Sequence, residues 1–156
     1  MSISNITRKL VRERARFLCE YCHSSEEAGT ALFDIDHIMP KSLGGADELD
    51  NLALACQRCN SYRYNFLAGI DPQTGSEVKL FNPRTQQWSE HFVWSVDGQR
   101  IIGKSAVGRA TCGGTHPARN RLDLNDDRHN DGFILKARQF WIRGGWHPPS
   151  DDPREN

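Results

Sequence analysis

An α+β domain closed by a metal staple is the fold class this sequence predicts, on three observations. Apolar residues recur at helical spacing near the start, short apolar runs bounded by turn residues follow, and two identical Cys-x-x-Cys pairs, Cys19/Cys22 and Cys56/Cys59, bracket those runs. A chain of 156 residues, 37% of them hydrophobic, is the size of one ordinary domain or of a small domain with an extension.

In residues 5–18, Ile6, Leu10, Val11, Ala15 and Leu18 share one helical face, and Ser4 or Asn5 is available as N-cap. In residues 31–38, Phe33 and Ile35 alternate with Asp34 and Asp36, which predicts a short strand ending near His37. Residues 39–50, with Pro40 and Gly44-Gly45, read as a loop, and residues 51–55 as a second strand reaching Cys56. Residues 58–67 lack Pro and Gly and stop short of Gly69, the pattern of a helix with glycine near its C-terminus. The order is therefore helix, strand, loop, strand, helix.

Beyond residue 70 the pattern changes. Asp-Pro-Gln-Thr-Gly at 71–75 is a turn-rich connection, residues 77–81 and 88–96 read as strands, and Asp97-Gly98 predicts a hairpin turn into residues 99–103. Residues 133–142 read as a helix bearing Phe133, Ile134, Ala137, Phe140 and Trp141. Trp88, Trp94 and Trp141 fall in these elements, where core packing is the first reading and base stacking the second. Residues 148–156 are expected to be a mobile tail.

Zinc takes four thiolate or imidazole ligands in a tetrahedron, and each Cys-x-x-Cys turn presents two sulfurs from one tight loop. Cys19, Cys22, Cys56 and Cys59 thus make a candidate structural zinc site. Two disulfides, or one redox-active pair beside an incidental one, are the alternatives these thiols leave open. The first residues lack the apolar core of a signal peptide, and no run approaches the roughly 18 to 20 apolar residues that span a bilayer. Reduced thiols, a cytoplasmic location and no membrane partner are the expectations. Cys112 reads as a free thiol, and Cys112 to His116 as a loop or part of a further metal site.

Twenty Lys and Arg against twenty Asp and Glu sum to zero, so tight phosphate binding by bulk charge is not expected. The charges are nonetheless segregated: residues 1–22 carry a surplus of +3, and residues 23–60 a deficit of −5. Modest nucleic-acid affinity that falls with salt is what such a distribution predicts.

Between the cysteine pairs lies a set with chemical content: Asp36-His37, Asn51 and Asn60. A histidine ending a strand beside a carboxylate suits removal of a proton from water, since imidazole titrates near neutrality. Asp36 and the Asn60 carbonyl are hard donors that leave most of a Mg²⁺ shell open to water and phosphate. Taken singly each has a plainer reading, a surface histidine or a turn-capping asparagine.

Taken in order, Asp36-His37, the Pro40-Lys41-Ser42-x-Gly44-Gly45 loop, Asn51-Leu52-x-Leu54, Cys56-x-x-Cys59-Asn60 and Arg63 resemble the HNH endonuclease family over about a third of the chain. The resemblance implies a ββα-metal core within residues 1–70, preceded by a helix and stapled by zinc; residues 71–147, which the family core does not explain, are expected to be a hairpin-plus-helix extension packed on it. It implies His37 as general base, Asp36 and Asn60 as holders of a single Mg²⁺ or Mn²⁺, and Asn51 as the pin of the loop after the base. DNA is the implied substrate, RNA not being excluded, and 5′-phosphate and 3′-hydroxyl ends the implied products. Arg63 and Lys41 are candidate phosphate contacts, a solvated helix position being the other reading of Arg63. The second half, with its Leu-Phe-Asn-Pro-Arg and Gly-Arg-Ala-Thr segments, resembles extensions on some bacterial HNH proteins. A non-catalytic zinc-dependent nucleic-acid-binding module and an interaction domain are the other functions open, as are monomer and homodimer.

Overall fold

Ser4 starts the first helix. Its hydroxyl accepts the Thr7 N–H at 3.1 Å, and α1 runs Asn5–Arg14. A computed structural model describes residues 3–113, 122–127 and 132–149, so His116 and the tail from residue 150 lie outside the described residues. Helix α1 stops four residues short of the predicted Leu18, because Arg16 and Phe17 take positive φ (51° and 61°) and turn the chain into the first cysteine pair. Ser4→Ala removes the partner of an orphan helix N–H and is expected to lower stability by about 1 kcal/mol, read as a shift in the urea midpoint at constant slope.

Strands β1 (Asp34–His37) and β2 (Leu52–Ala55) pair antiparallel, with Asp36 opposite Ala53 and His37 opposite Leu52. All four residues of β2 are fully buried, which explains its unbroken apolar run. The intervening loop holds two short 3₁₀ turns, Lys41–Leu43 and Leu49–Asn51. Cys56 then caps α2 (Gln57–Arg63) through its sulfur, which accepts the Cys59 N–H. Strand, strand and helix are the ββα order the sequence predicts.

Helix α2 ends at Arg63 rather than Leu67, since Tyr64 has φ 46° and breaks the helix. Gly69 is consequently no helix cap. It lies in β3 (Ala68–Ile70), opposite Val78 of β4 (Glu77–Lys79), with residues 71–75 as the turn. A second correction concerns residues 88–96, where a four-residue helix, α3 (Trp88–His91), precedes β5 (Phe92–Trp94). The cause is tertiary: the Trp88 indole N–H donates to the Tyr21 carbonyl at 2.9 Å and its ring stacks on His23, which draws the segment toward the first cysteine pair. Strand β5 pairs with β6 (Ile101–Gly103), confirming a hairpin about Asp97-Gly98.

Helix α4 (Ala106–Cys112) is absent from the sequence prediction, as Gly108 and Thr111 are poor helix formers. Gly108 is required there, because a Cβ would lie 2.0 Å from the His91 carbonyl oxygen. Helix α5 (Phe133–Arg143) matches its prediction in position, but its inward face is Ile134 and Arg138, while Phe133 and Phe140 are exposed. The Arg138 guanidinium donates to the carbonyls of Gln99 and Leu124 and to Asn125, and lies over the Trp94 ring.

Two buried clusters hold these pieces together. The smaller joins α1 to β2 through Val11, Ala15, Leu52 and Leu54. The larger surrounds the four paired cysteines with Tyr21, Phe81, Trp88, Phe92, Leu122 and Leu124, so core and extension share one interior. Among the described residues no helix is long and apolar enough to cross a membrane.

Candidate metal and catalytic centres

The four sulfurs of Cys19, Cys22, Cys56 and Cys59 lie within 4.8 Å of one another, and all four residues are buried. Both pairs are built alike: the Cys22 N–H points at the Cys19 sulfur and the Cys59 N–H at the Cys56 sulfur. Cys22 and Cys56 sulfurs are 3.7 Å apart. Four sulfurs about 2.3 Å from a tetrahedral zinc sit about 3.8 Å from each other, whereas a disulfide brings two within about 2.05 Å. The spacing fits an ion, and the cysteines are free thiols. Burial pushes the Cys19 thiol up, while hydrogen bonds from its three neighbours pull the Cys22 thiol down. A divalent cation held between them would let all four carry charge in this interior.

On β1 the two-residue period puts Asp34 and Asp36 on one face and His37 on the other. Helix α2 answers that face with Asn60 and Arg63, one turn apart. Asn60 Nδ2 donates to Asp34 Oδ2 at 3.2 Å. Arg63 Nη1 donates to Asp36 Oδ1 and Oδ2 at 3.1 and 3.0 Å, and the Tyr21 hydroxyl donates to Oδ2 at 2.8 Å. Burial pushes the Asp36 carboxyl up, and the Arg63 charge and the Tyr21 hydroxyl pull against it.

These placements differ from expectation in two respects. Arg63 is 2% exposed and also donates to the carbonyls of His37 and Ile38, so its charge is directed at Asp36 rather than presented to solvent. The reason is that a carboxylate as buried as Asp36 needs a counter-charge. Asn60, in turn, meets Asp34, an acid the sequence reading assigned no role. The signal for Asp34 was present in the alternation that places it beside Asp36.

On the opposite face, His37 Nε2 lies 2.7 Å from Asp47 Oδ1, and Lys41 Nζ is 3.2 Å from Asp47 Oδ2. Lys41 is half exposed. Asn51 ties the loop at both ends: its Oδ1 accepts the Met39 N–H at 2.8 Å, and its Nδ2 donates to the carbonyls of Met39 and Ala46 at 3.0 and 2.9 Å. Gly45 is sealed into the same knot, since a Cβ there would lie 1.7 Å from the Met39 carbonyl oxygen. Next to this loop a cleft of about 400 Å³ opens between core and extension, lined by Met39, Asn51, Arg63, Lys79 and Asn82 among others.

Residues 17–66 match the HNH endonuclease family. The likeness covers about a third of the chain. No curated protein and no solved structure matches the chain. The matched segment spans both cysteine pairs, β1, the Asn51-tied loop, β2 and α2, and α1 and the elements from β3 onward lie outside it.

Proposed function

We propose that the matched segment is an HNH domain, a metal-dependent endonuclease hydrolysing phosphodiester bonds of DNA, its fold held by zinc on the four cysteines. The observation that carries this reading is His37 at the end of β1, its ring oriented by Asp47, one residue from a strand face of hard oxygen donors. His37 accepts the proton of the attacking water. Asn51 keeps the following loop in place, and Lys41 meets a backbone phosphate. Asp36 and Asn60 would hold Mg²⁺ or Mn²⁺, with Asp34 alongside; the donors are of the right chemistry, and Asp36 would then be shared with Arg63. A divalent ion held there would supply neutralisation of charge on the scissile phosphate. In-line attack by water leaves 5′-phosphate and 3′-hydroxyl ends. Four thiols reserved for zinc suit a reducing compartment, so the reading includes a cytoplasmic setting.

A second reading, a zinc-dependent nucleic-acid-binding module without chemistry, is favoured by one observation, the engagement of both Asp36 oxygens by Arg63. Plasmid nicking separates the two. With Mg²⁺ or Mn²⁺ the wild type is expected to convert supercoiled plasmid to nicked circles, and His37→Ala to be slower by about 10²- to 10⁴-fold, the range of a general base. Wild type that binds DNA yet leaves the plasmid supercoiled with every divalent ion establishes the binding module instead, and wild type that does neither is an interaction domain.

A further inference from the structure

We propose that Asp47 is the positioning residue of His37: its carboxylate takes the Nε2 proton as a hydrogen bond, fixing the ring and leaving Nδ1 as the nitrogen that accepts a proton. The catalytic part of this inference rests on the nuclease reading above; the orientation and tautomer of the ring do not.

Three observations converge on it. First, the contact between His37 Nε2 and Asp47 Oδ1 is 2.7 Å, within the range of charge-assisted hydrogen bonds, and both side chains are partly buried (18% and 29% exposed). Second, the His37 hydrogen bond and then the Lys41 ammonium hold the Asp47 carboxyl below the usual carboxylate range, so Asp47 is ionised at neutral pH. An ionised carboxylate only accepts, so Nε2 must be the protonated nitrogen and the neutral ring keeps its lone pair on Nδ1. Third, Asp47 is itself held in place. The carbonyl of Ala46, the residue before it, accepts from Asn51 Nδ2 at 2.9 Å, the Gly45 N–H returns to the Pro40 carbonyl at 2.9 Å, and Lys41 occupies the second carboxylate oxygen. Asn51 and Gly45 thereby act on His37 through Asp47. The loop's fixed return path places a carboxylate at the ring, and a loosened loop would leave the imidazole to sample both tautomers and a range of angles.

The test is ¹⁵N NMR of the histidine rings in the full, zinc-loaded chain above the imidazole titration range, with His37→Gln used to assign the signal. Wild type is expected to show His37 in the Nε2–H form, with a downfield, slowly exchanging ring proton. In Asp47→Ala that proton should be lost to exchange, and in Asp47→Asn, which keeps an acceptor oxygen, it should be partly retained. Nicking kcat should fall about 10- to 100-fold in Asp47→Ala with KM changed less than about twofold, and Asp47→Asn should fall between, as for other orienting partners of a functional imidazole. A wild-type Nδ1–H tautomer, an unprotected Nε2–H, or an Asp47→Ala kcat within twofold of wild type overturns the proposal. Should Asp47→Ala fail to fold, the wild-type spectrum decides alone. A protected Nε2–H in a wild type that cuts no plasmid keeps the positioning contact and removes the nuclease reading.

Discussion

Protein purified without chelator is expected to contain one zinc per chain, and Cys56→Ser to contain none and to fail to fold. The four sulfurs are not a surface clip. They lie inside the larger buried cluster, against Tyr21, Trp88, Phe81 and Phe92, so the site is the centre on which core and extension pack. Zinc binding by structural cysteine sites amounts to about 10 to 16 kcal/mol in small peptides, as large as or larger than the roughly 5 to 15 kcal/mol by which whole domains are stable. Losing it therefore removes the folded state rather than weakening it. Cys56 is the sharpest position to change, because its sulfur also caps α2 and lies 3.7 Å from Cys22, so serine would lose a ligand while keeping a cap. Elemental analysis and far-UV circular dichroism with and without chelator check this. Well under one zinc per chain, or an unchanged melting curve in chelator, would sink the structural-zinc assignment.

What could be read from the sequence was local chemistry. An N-cap at Ser4 or Asn5, which the structure places at Ser4, the alternation of β1, the buried run of β2 and the Pro40 and Gly44-Gly45 loop are each properties of a few adjacent residues, and each is found in the structure. The paired cysteines were legible for the same reason. Helix ends were not. Arg16, Phe17 and Tyr64 adopt positive φ without being glycine, a choice imposed by where the chain must go next, and Gly69, which looks like a cap, is a strand residue opposite Val78. Helix α3 exists because Trp88 reaches back to Tyr21, a contact 67 residues away in sequence. At the candidate site, His37, Asn51 and Asn60 could be picked out from type and spacing. The partners that define their chemistry could not, since Asp47 on His37 requires the return path of a loop, and Arg63 on Asp36 requires the packing of α2 against β1.

Arg63→Ala is expected to cost about 3 to 5 kcal/mol, the usual penalty for leaving one member of a buried ion pair uncompensated. Arg63 and Asp36 side chains are 3% and 5% exposed, so water cannot replace the lost guanidinium. For a chain of this size that is a fall in Tm on the order of 10 °C. The sign of the pH dependence follows from Asp36. Burial already holds its pKa above the ordinary aspartate value, and Arg63 is the largest influence pulling it back down. Without Arg63 the folded-state pKa rises further, so the folded protein binds a proton that the unfolded chain releases. The penalty relative to wild type is then full at neutral pH and shrinks as pH falls toward the ordinary carboxylate range, where Asp36 is protonated in both states. Urea unfolding of the two proteins at pH 7.5 and pH 5 measures this difference, and acid effects on the cysteine cluster common to both proteins largely cancel. Adding Asp36→Asn to Arg63→Ala should recover much of the loss at neutral pH, because the double change leaves no uncompensated charge at this pair, and a neutral amide still accepts from the Tyr21 hydroxyl 2.8 Å away. A loss under about 1 kcal/mol in Arg63→Ala, or one that grows on acidification, would show that Asp36 is solvated or neutral in the wild type.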